Sequence, residues 1–380
     1  MADGRRRVWR RRGERYANTC IEERGRWKCY DMGRPFFNQT DTVLSITLHS
    51  CSLTVNKSKM EQSIGSDCVV EIRDIPESRQ SPIKSKILLL EKKNNEDAFF
   101  VIDLGEIVRK YANWVRKLPR VKPFYAIKCN DDYAVLKILA DLGTGFDCAS
   151  QVIANIQILN LDVDPGRIIY ANTIKQTSFL KYSAGKNVTT MTFDNEAGLY
   201  KIKAVFPSAR NTSRKKDGVK VIAKPGRYFV TSAFSLAANI IGKRVMSRHQ
   251  KNEDSLPIDS SVESDDAAIM YYINDGMYGS FNSLYFDKAA LIQCVLRDKH
   301  GKGIVHSSSL WGPTCAGVDC IVGKCQLPEL SVGDWLCFSN MGAYSIVSGS
   351  TFNGMPRPRH FYNCQPDIWY VVHFGLDNTY

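Results

Sequence analysis

The pattern of apolar and polar positions changes twice along the chain. Up to residue 84 it is weak and mostly polar, and it predicts irregular structure with one short strand in TVLSITLHSCSLTV. From Ile87 onward, short apolar runs alternate with amphipathic ones. AFFVIDL (98–104) reads as a buried strand. GEIVRKYANWVRKLP sets Ile107, Val108, Tyr111, Trp114 and Val115 at helical spacing and stops at Pro119. KPFYAIK predicts a second strand, and DDYAVLKILADLG a helix opened by aspartates and closed by Gly143. GFDCAS, GRIIYAN and TTMTF read as further strands, and ANIQILNL, SFLKYSAGK and NEAGLYKIKAVFP as the helices between and after them.

Five strand–helix units in a row are the rhythm of a parallel sheet, and the natural closed form is a (β/α)8 barrel. Eight such units normally take ~250 residues, far more than the chain offers before the rhythm stops. The expected barrel is therefore incomplete. After Pro225 the strand-like pieces KPGRYFVTSAFSLAANIIGKRVM, AIMYYINDGMYGSFN and GDWLCFSNMGAYSIVSGSTFNG are joined by glycine turns, which predicts a mostly antiparallel β-domain. The expected organisation is an N-terminal extension (1–84), a truncated barrel (85–229) and a C-terminal β-domain (230–380) with a polar, flexible loop at 247–268.

Composition narrows the class. A content of 44% hydrophobic and 24% charged residues is that of a soluble globular protein. The longest apolar runs are too short to span a bilayer, so no membrane association is expected. The arginine-rich start, MADGRRRVWRRRGER, has no apolar core of a secretory signal, which points to the cytoplasm. Much of the net charge of +12 sits in this extension. It reads as a solvated tail, with RNA or an acidic membrane surface as the competing partner class; no motif for specific nucleic-acid binding is present. Twelve cysteines form no CxxC pair, and Cys315, Cys320 and Cys325, five apart, suit neither zinc nor a disulfide framework. No metal site is expected.

The ends of the predicted strands carry the candidate chemistry: Lys128, Asp147, Asn172 and Asp194. In a barrel, reacting groups sit at that face. Spacing alone leaves two readings of Lys128, an amine presented at the barrel mouth or a side chain that leaves the sheet for solvent.

A set of longer runs goes further. PFYAIKCN, GTGFDCAS, RIIYAN, TFDNE, PGRY, YYINDGMYGSFN, SSSLWGPTC, VGDW, NMGAY and STFNG occur in the order and spacing of the eukaryotic ornithine decarboxylase family, the barrel-type pyridoxal 5'-phosphate decarboxylases that include the antizyme inhibitors. The resemblance covers about residues 97–207 and 219–354; Met60 resembles a family start more than Met1 does. It implies that Lys128 forms the Schiff base with pyridoxal phosphate. Asp147 would lie next to the cofactor, and Arg227 and Tyr344 would hold its phosphate. Cys315 would deliver a proton to the carbanion, and Asp287 would bind the distal amine of the substrate. Cys315 and Asp287 would come from a second subunit, which implies a homodimer or a heterodimer with a full-length relative. The surface that binds antizyme in the family maps to Lys181 to Phe206.

The chain also departs from that pattern. The family's segment between FPSAR and KPGRY is missing, and with it later barrel strands, a cofactor-stacking histidine and a triple-glycine phosphate loop; no histidine lies between His49 and His249. The glutamate that pairs with the pyridine nitrogen is Lys224, the acidic residue after the catalytic cysteine is Ala316, and ASQVIANIQ lacks the glutamate expected after Ser150. Three readings follow: a decarboxylase of ornithine or a related amino acid with impaired catalysis, a non-catalytic antizyme-binding regulator of polyamine synthesis, or a chain that cannot close its barrel.

Overall fold

The computed structural model describes residues 80–150, 158–209, 221–246, 269–287 and 305–374, together with strand segments at 18–23, 26–31, 60–64, 68–72 and 292–295. The strand expected in TVLSITLHSCSLTV and the loop at 247–268 lie outside the described residues, as does most of the helix expected at ANIQILNL, whose end is a 3-10 turn, Leu159–Leu161.

In chain order, the extension contributes β1 (Asn18–Glu23), β2 (Arg26–Asp31), β3 (Met60–Ile64) and β4 (Cys68–Ile72). There follow α1 (Ser81–Glu91), β5 (Phe99–Asp103), α2 (Leu104–Lys117), β6 (Val121–Ala126), α3 (Tyr133–Asp141), β7 (Gly145–Cys148), β8 (Ile168–Tyr170), α4 (Thr177–Gly185), β9 (Thr190–Met191), α5 (Glu196–Val205) and β10 (Val221–Ala223). The last part holds α6 (Arg227–Val230), β11 (Phe234–Val245), β12 (Ile269–Ile273), α7 (Asn282–Asp287), β13 (Ile292–Val295), β14 (Val305–Trp311), β15 (Cys320–Pro328), β16 (Trp335–Ser339), β17 (Arg359–Cys364) and α8 (Pro366–Phe374).

Local chemistry sets the helix starts. Asp103 accepts a hydrogen bond from the Glu106 N–H at 3.1 Å and opens α2, whose last turn carries Arg116 and Lys117. Asp132 accepts from the Ala134 and Val135 N–H groups and opens α3; Asn195 accepts from the Gly198 N–H and opens α5.

Two sheets result. The first runs β2-β1-β10-β6-β7-β8-β9. From β10 to β9 all neighbours are parallel, an open half-barrel. The β1–β2 hairpin adds antiparallel to β10, with Thr19 opposite Ala223. The second sheet is mixed and ten-stranded, in the order β15-β14-β12-β11-β5-β17-β4-β3, with β16 on β11 and β13 on β16. Most of its pairings are antiparallel; β12–β14, β17–β4 and β17–β5 are parallel.

One expected unit changes place. β5 does not join the parallel strands but lies between β11 and β17 in the mixed sheet. Its apolar run suits a strand covered on both faces. Phe99 packs on Trp335 and Phe361 beneath α1, while Phe100 meets Phe234 and His360 on the other side. The parallel sheet still has five strands, because β10 takes the place next to β6. Beside this core, Lys86 of α1 pairs with Glu71 of β4, both buried, and lies 4.4 Å from the Phe361 ring centre.

Candidate active site at the parallel strand ends

Lys128 follows β6 in a single 3-10 turn, Ile127–Cys129. Its neighbours Ile127 and Cys129 are buried, while Lys128 is exposed at the C-terminal end of the sheet. The backbone around it is pinned from three sides. The Ala126 N–H donates to the Pro225 carbonyl at 3.0 Å, tying β6 to the segment after β10. The Tyr344 N–H donates to the Cys129 carbonyl at 2.8 Å. The Asn130 side-chain amide donates to the Gly342 carbonyl at 2.9 Å, and the Tyr125 hydroxyl donates to the Asn130 carbonyl at 2.8 Å.

Two glycines make this convergence sterically possible. A Cβ on Gly226 would stand 2.7 Å from the Cys129 Cβ, and one on Gly342 would stand 1.8 Å from the Val230 carbonyl oxygen. The loops PGRY and NMGAY thus bring Arg227 and Tyr344 together: the guanidinium lies 4.7 Å from the Tyr344 ring centre, within cation–π range. Tyr344 takes a left-handed backbone conformation, φ 60°, to do so.

Asp147, on the strand next to β6, is 7% exposed. Its Oδ2 lies 2.8 Å from Nζ of Lys224, the residue after β10. β10 and β7 flank β6 on opposite sides, so this ion pair crosses over the strand that leads into the Lys128 turn. One strand further on, Lys175 is buried, donates to the Asn172 and Thr192 carbonyls and lies 4.5 Å from the Tyr170 ring centre. Burial pushes its ammonium down to about 8, with Asp194 pulling it up and Lys224 pressing it down further. Sequence reasoning found Lys128, Asp147, Arg227 and Tyr344 at this end. It missed Lys175, and it gave Lys224 no partner; polar residues at every strand end were the available signal.

The other predicted residues belong to the second sheet. Cys315 is exposed in the turn between β14 and β15. Buried Asp319 shapes that turn: Oδ1 accepts from the Met277 N–H at 2.7 Å, and Oδ2 from the Thr314 N–H at 3.0 Å and hydroxyl at 2.6 Å. Asp287 is the last residue of α7, and its side chain lies outside the described residues. A cavity of about 300 Å³ opens beside this turn, lined among others by Asp275, Tyr278, Thr314, Phe352, Arg357 and His360. Asp275 accepts from the Gly276 and Ser280 N–H groups, yet burial pushes its carboxyl up to about 6. His360 Nδ1 lies 3.0 Å from the Asp132 carboxylate, which also accepts from the Tyr362 hydroxyl at 2.8 Å. Among the described residues no group of three or more His, Cys, Asp or Glu could hold a metal, and no helix is long and apolar enough to cross a membrane.

Comparison with known proteins agrees with this arrangement. Residues 104–214 match the family model described as pyridoxal-dependent decarboxylase, pyridoxal binding domain. Rat ornithine decarboxylase is 34% identical over 401 aligned positions, which take up 76% of this chain and 86% of the relative. Since 401 positions exceed the 380 residues of the chain, the alignment bridges a stretch that the chain lacks. Antizyme inhibitor 2 of Xenopus laevis is also 34% identical, over 76% of this chain and 87% of its own length. Among solved structures, the Paramecium bursaria Chlorella virus arginine decarboxylase bound to agmatine superposes with a TM-score of 0.64, at 24% identity over 74% of this chain and 100% of that one. The parallel strands ending at Lys128, the mixed β-sheet and these identities together place the chain in the eukaryotic ornithine decarboxylase family, whose cofactor is pyridoxal phosphate.

Proposed function

We propose that the chain is a pyridoxal-phosphate-binding member of this family with impaired decarboxylation of ornithine or a related amino acid, the putrescine-forming type of step in polyamine synthesis. The observation that carries the reading is the convergence of an exposed Lys128 with the Arg227–Tyr344 pair at one end of the parallel sheet.

The residues present fit the cofactor at two of its ends. Lys128 offers an amine outside the core, able to condense with an aldehyde. Arg227 presents a planar guanidinium suited to a phosphate, backed by Tyr344. When bound, pyridoxal phosphate supplies the electron sink that carbon dioxide loss requires. Asp147 borders the site but is already paired with Lys224. In this reading Cys315, exposed on its turn, serves a second subunit as proton donor, and Asp287 holds a distal amine there. This makes a homodimer, or a heterodimer with a full-length relative, the expected active form. The impairment is assigned to the half-barrel and to Lys224.

The test combines cofactor retention and turnover. Purified protein loaded with pyridoxal phosphate and desalted is expected to keep an absorbing, borohydride-reducible link on Lys128. Carbon dioxide release from ornithine, lysine or arginine is expected to fall at least about 100-fold below a complete relative, a loss of about 3 kcal/mol in transition-state stabilisation. Absence of the link, or full activity, overturns the proposal.

A second reading rests on a different surface. Lys181 to Phe206 spans α4, β9 and α5 with Lys181, Lys186, Lys201 and Lys203 exposed, and one relative is an antizyme inhibitor. Such a surface suits binding of antizyme without chemistry. Capture of antizyme at micromolar protein supports it, and no capture removes it.

A further inference from the structure

We propose that Lys224 determines the charge state of the cofactor site. Held against Asp147 across β6, it presents a cation to the ring of a bound pyridoxal phosphate, whose nitrogen then stays unprotonated. The inference rests on the cofactor reading above but concerns a residue that reading uses only as a defect.

Lys224 leaves β10, and Asp147 lies on β7; their 2.8 Å contact spans the end of β6, where Lys128 stands. Asp147 is nearly buried, so its charge requires a local partner, and Lys224 is that partner. The carboxylate that flanks Lys128 is thereby neutralised within the protein before any ligand arrives. Four cations stand at this end of the sheet, Lys128, Lys175, Lys224 and Arg227, together with Asp131, Asp147 and Asp194, while Asp132 is engaged by His360 and Tyr362. Lys224 also lies close enough to Lys175 to act on its ammonium.

The chemistry follows from charge alone. A pyridine nitrogen takes a proton where the surroundings stabilise a cation and refuses it beside another cation. Phosphate binding draws on the Arg227 guanidinium and does not require a protonated ring nitrogen. The site is therefore built to retain a phosphorylated ring while weakening it as an electron sink. This separates two properties that a decarboxylase needs together: holding the cofactor and drawing electrons into it.

The experiment compares pyridoxal phosphate with its deaza analogue, in which C–H replaces the ring nitrogen. Equilibrium binding of both is measured for the full chain, for Lys224→Met and for Lys224→Glu, with melting curves as the folding control. The unaltered chain is expected to bind the two compounds within about threefold of one another, since its nitrogen carries no proton to exploit. Lys224→Glu is expected to prefer pyridoxal phosphate by at least about tenfold, and Lys224→Met to fall between. A tenfold preference already present in the unaltered chain, or none gained by Lys224→Glu, overturns the inference. If the unaltered chain binds neither compound, the inference is overturned, because the site then fails to retain the ring. Lys128→Ala with borohydride mapping is read separately. A reducible link at another lysine sinks the cofactor reading, while the affinity ratios still report on Lys224.

Discussion

The mixed sheet encloses aromatic side chains on both faces of β5, whereas the parallel sheet ends on the two-residue β9 and carries an ion pair across its mouth. The first is a finished interior. The second is a half-barrel whose strand ends still aim at a common point. The difference teaches that one core runs beneath both sheets, while the candidate chemistry gathers at the parallel strand ends and the packing of Phe99, Trp335 and Phe361 under α1 lies apart from it.

The strongest way to break that contrast is to remove packing on each side. Trp335→Ala, in a residue 1% exposed, is expected to cost ~3–5 kcal/mol in urea unfolding. Phe193→Ser near the β9 margin, where Phe193 is 38% exposed, is expected to stay within about 0.5 kcal/mol. Comparable losses would erase the contrast.

Next comes Asp275. Its folded form keeps a proton up to about 6, against an ordinary 3.8, so the folded state binds more protons between these values. Stability therefore falls as pH rises through that window, by about 3 kcal/mol for a displacement of about two units. Urea midpoints at about pH 4 and about pH 7 should differ in that direction, and Asp275→Asn should flatten the slope.

A smaller effect separates the mouth from the core. Lys224→Met leaves the Asp147 carboxylate buried without its ion partner and is expected to cost about 2 kcal/mol, read by chemical unfolding. No cost would mean that water or another cation takes over. The smallest expected effect is on the proposed partner surface. Asn195→Ala removes the cap of α5 and should cost about 1 kcal/mol, with loosened amide exchange confined to that helix.

Much of this was legible in the sequence because it is written in local patterns. The helical spacing of Ile107, Val108 and Tyr111 gave α2, and the aspartates before Tyr133 gave α3. The alternation of short strands and helices gave the parallel order, and the polar residues at strand ends gave Lys128 and Asp147. What was not legible depends on contacts between distant segments. The run around Phe99 reads the same whether the strand joins a barrel or a mixed sheet; only pairing with β11 and β17 decides. The partner of Lys224 was likewise hidden, because Asp147 lies far away in the chain and is reached only across β6.

The hairpin of β1 and β2 on β10 has a consequence for assembly. A curled sheet with two bare rims could add copies at both and grow without limit. Here the hairpin extends one rim rather than closing it, and among the described residues the outermost strands are β2 and β9. Strand addition by another copy is then expected at the six-residue β2 rim rather than at the two-residue β9 rim, which offers little backbone to pair.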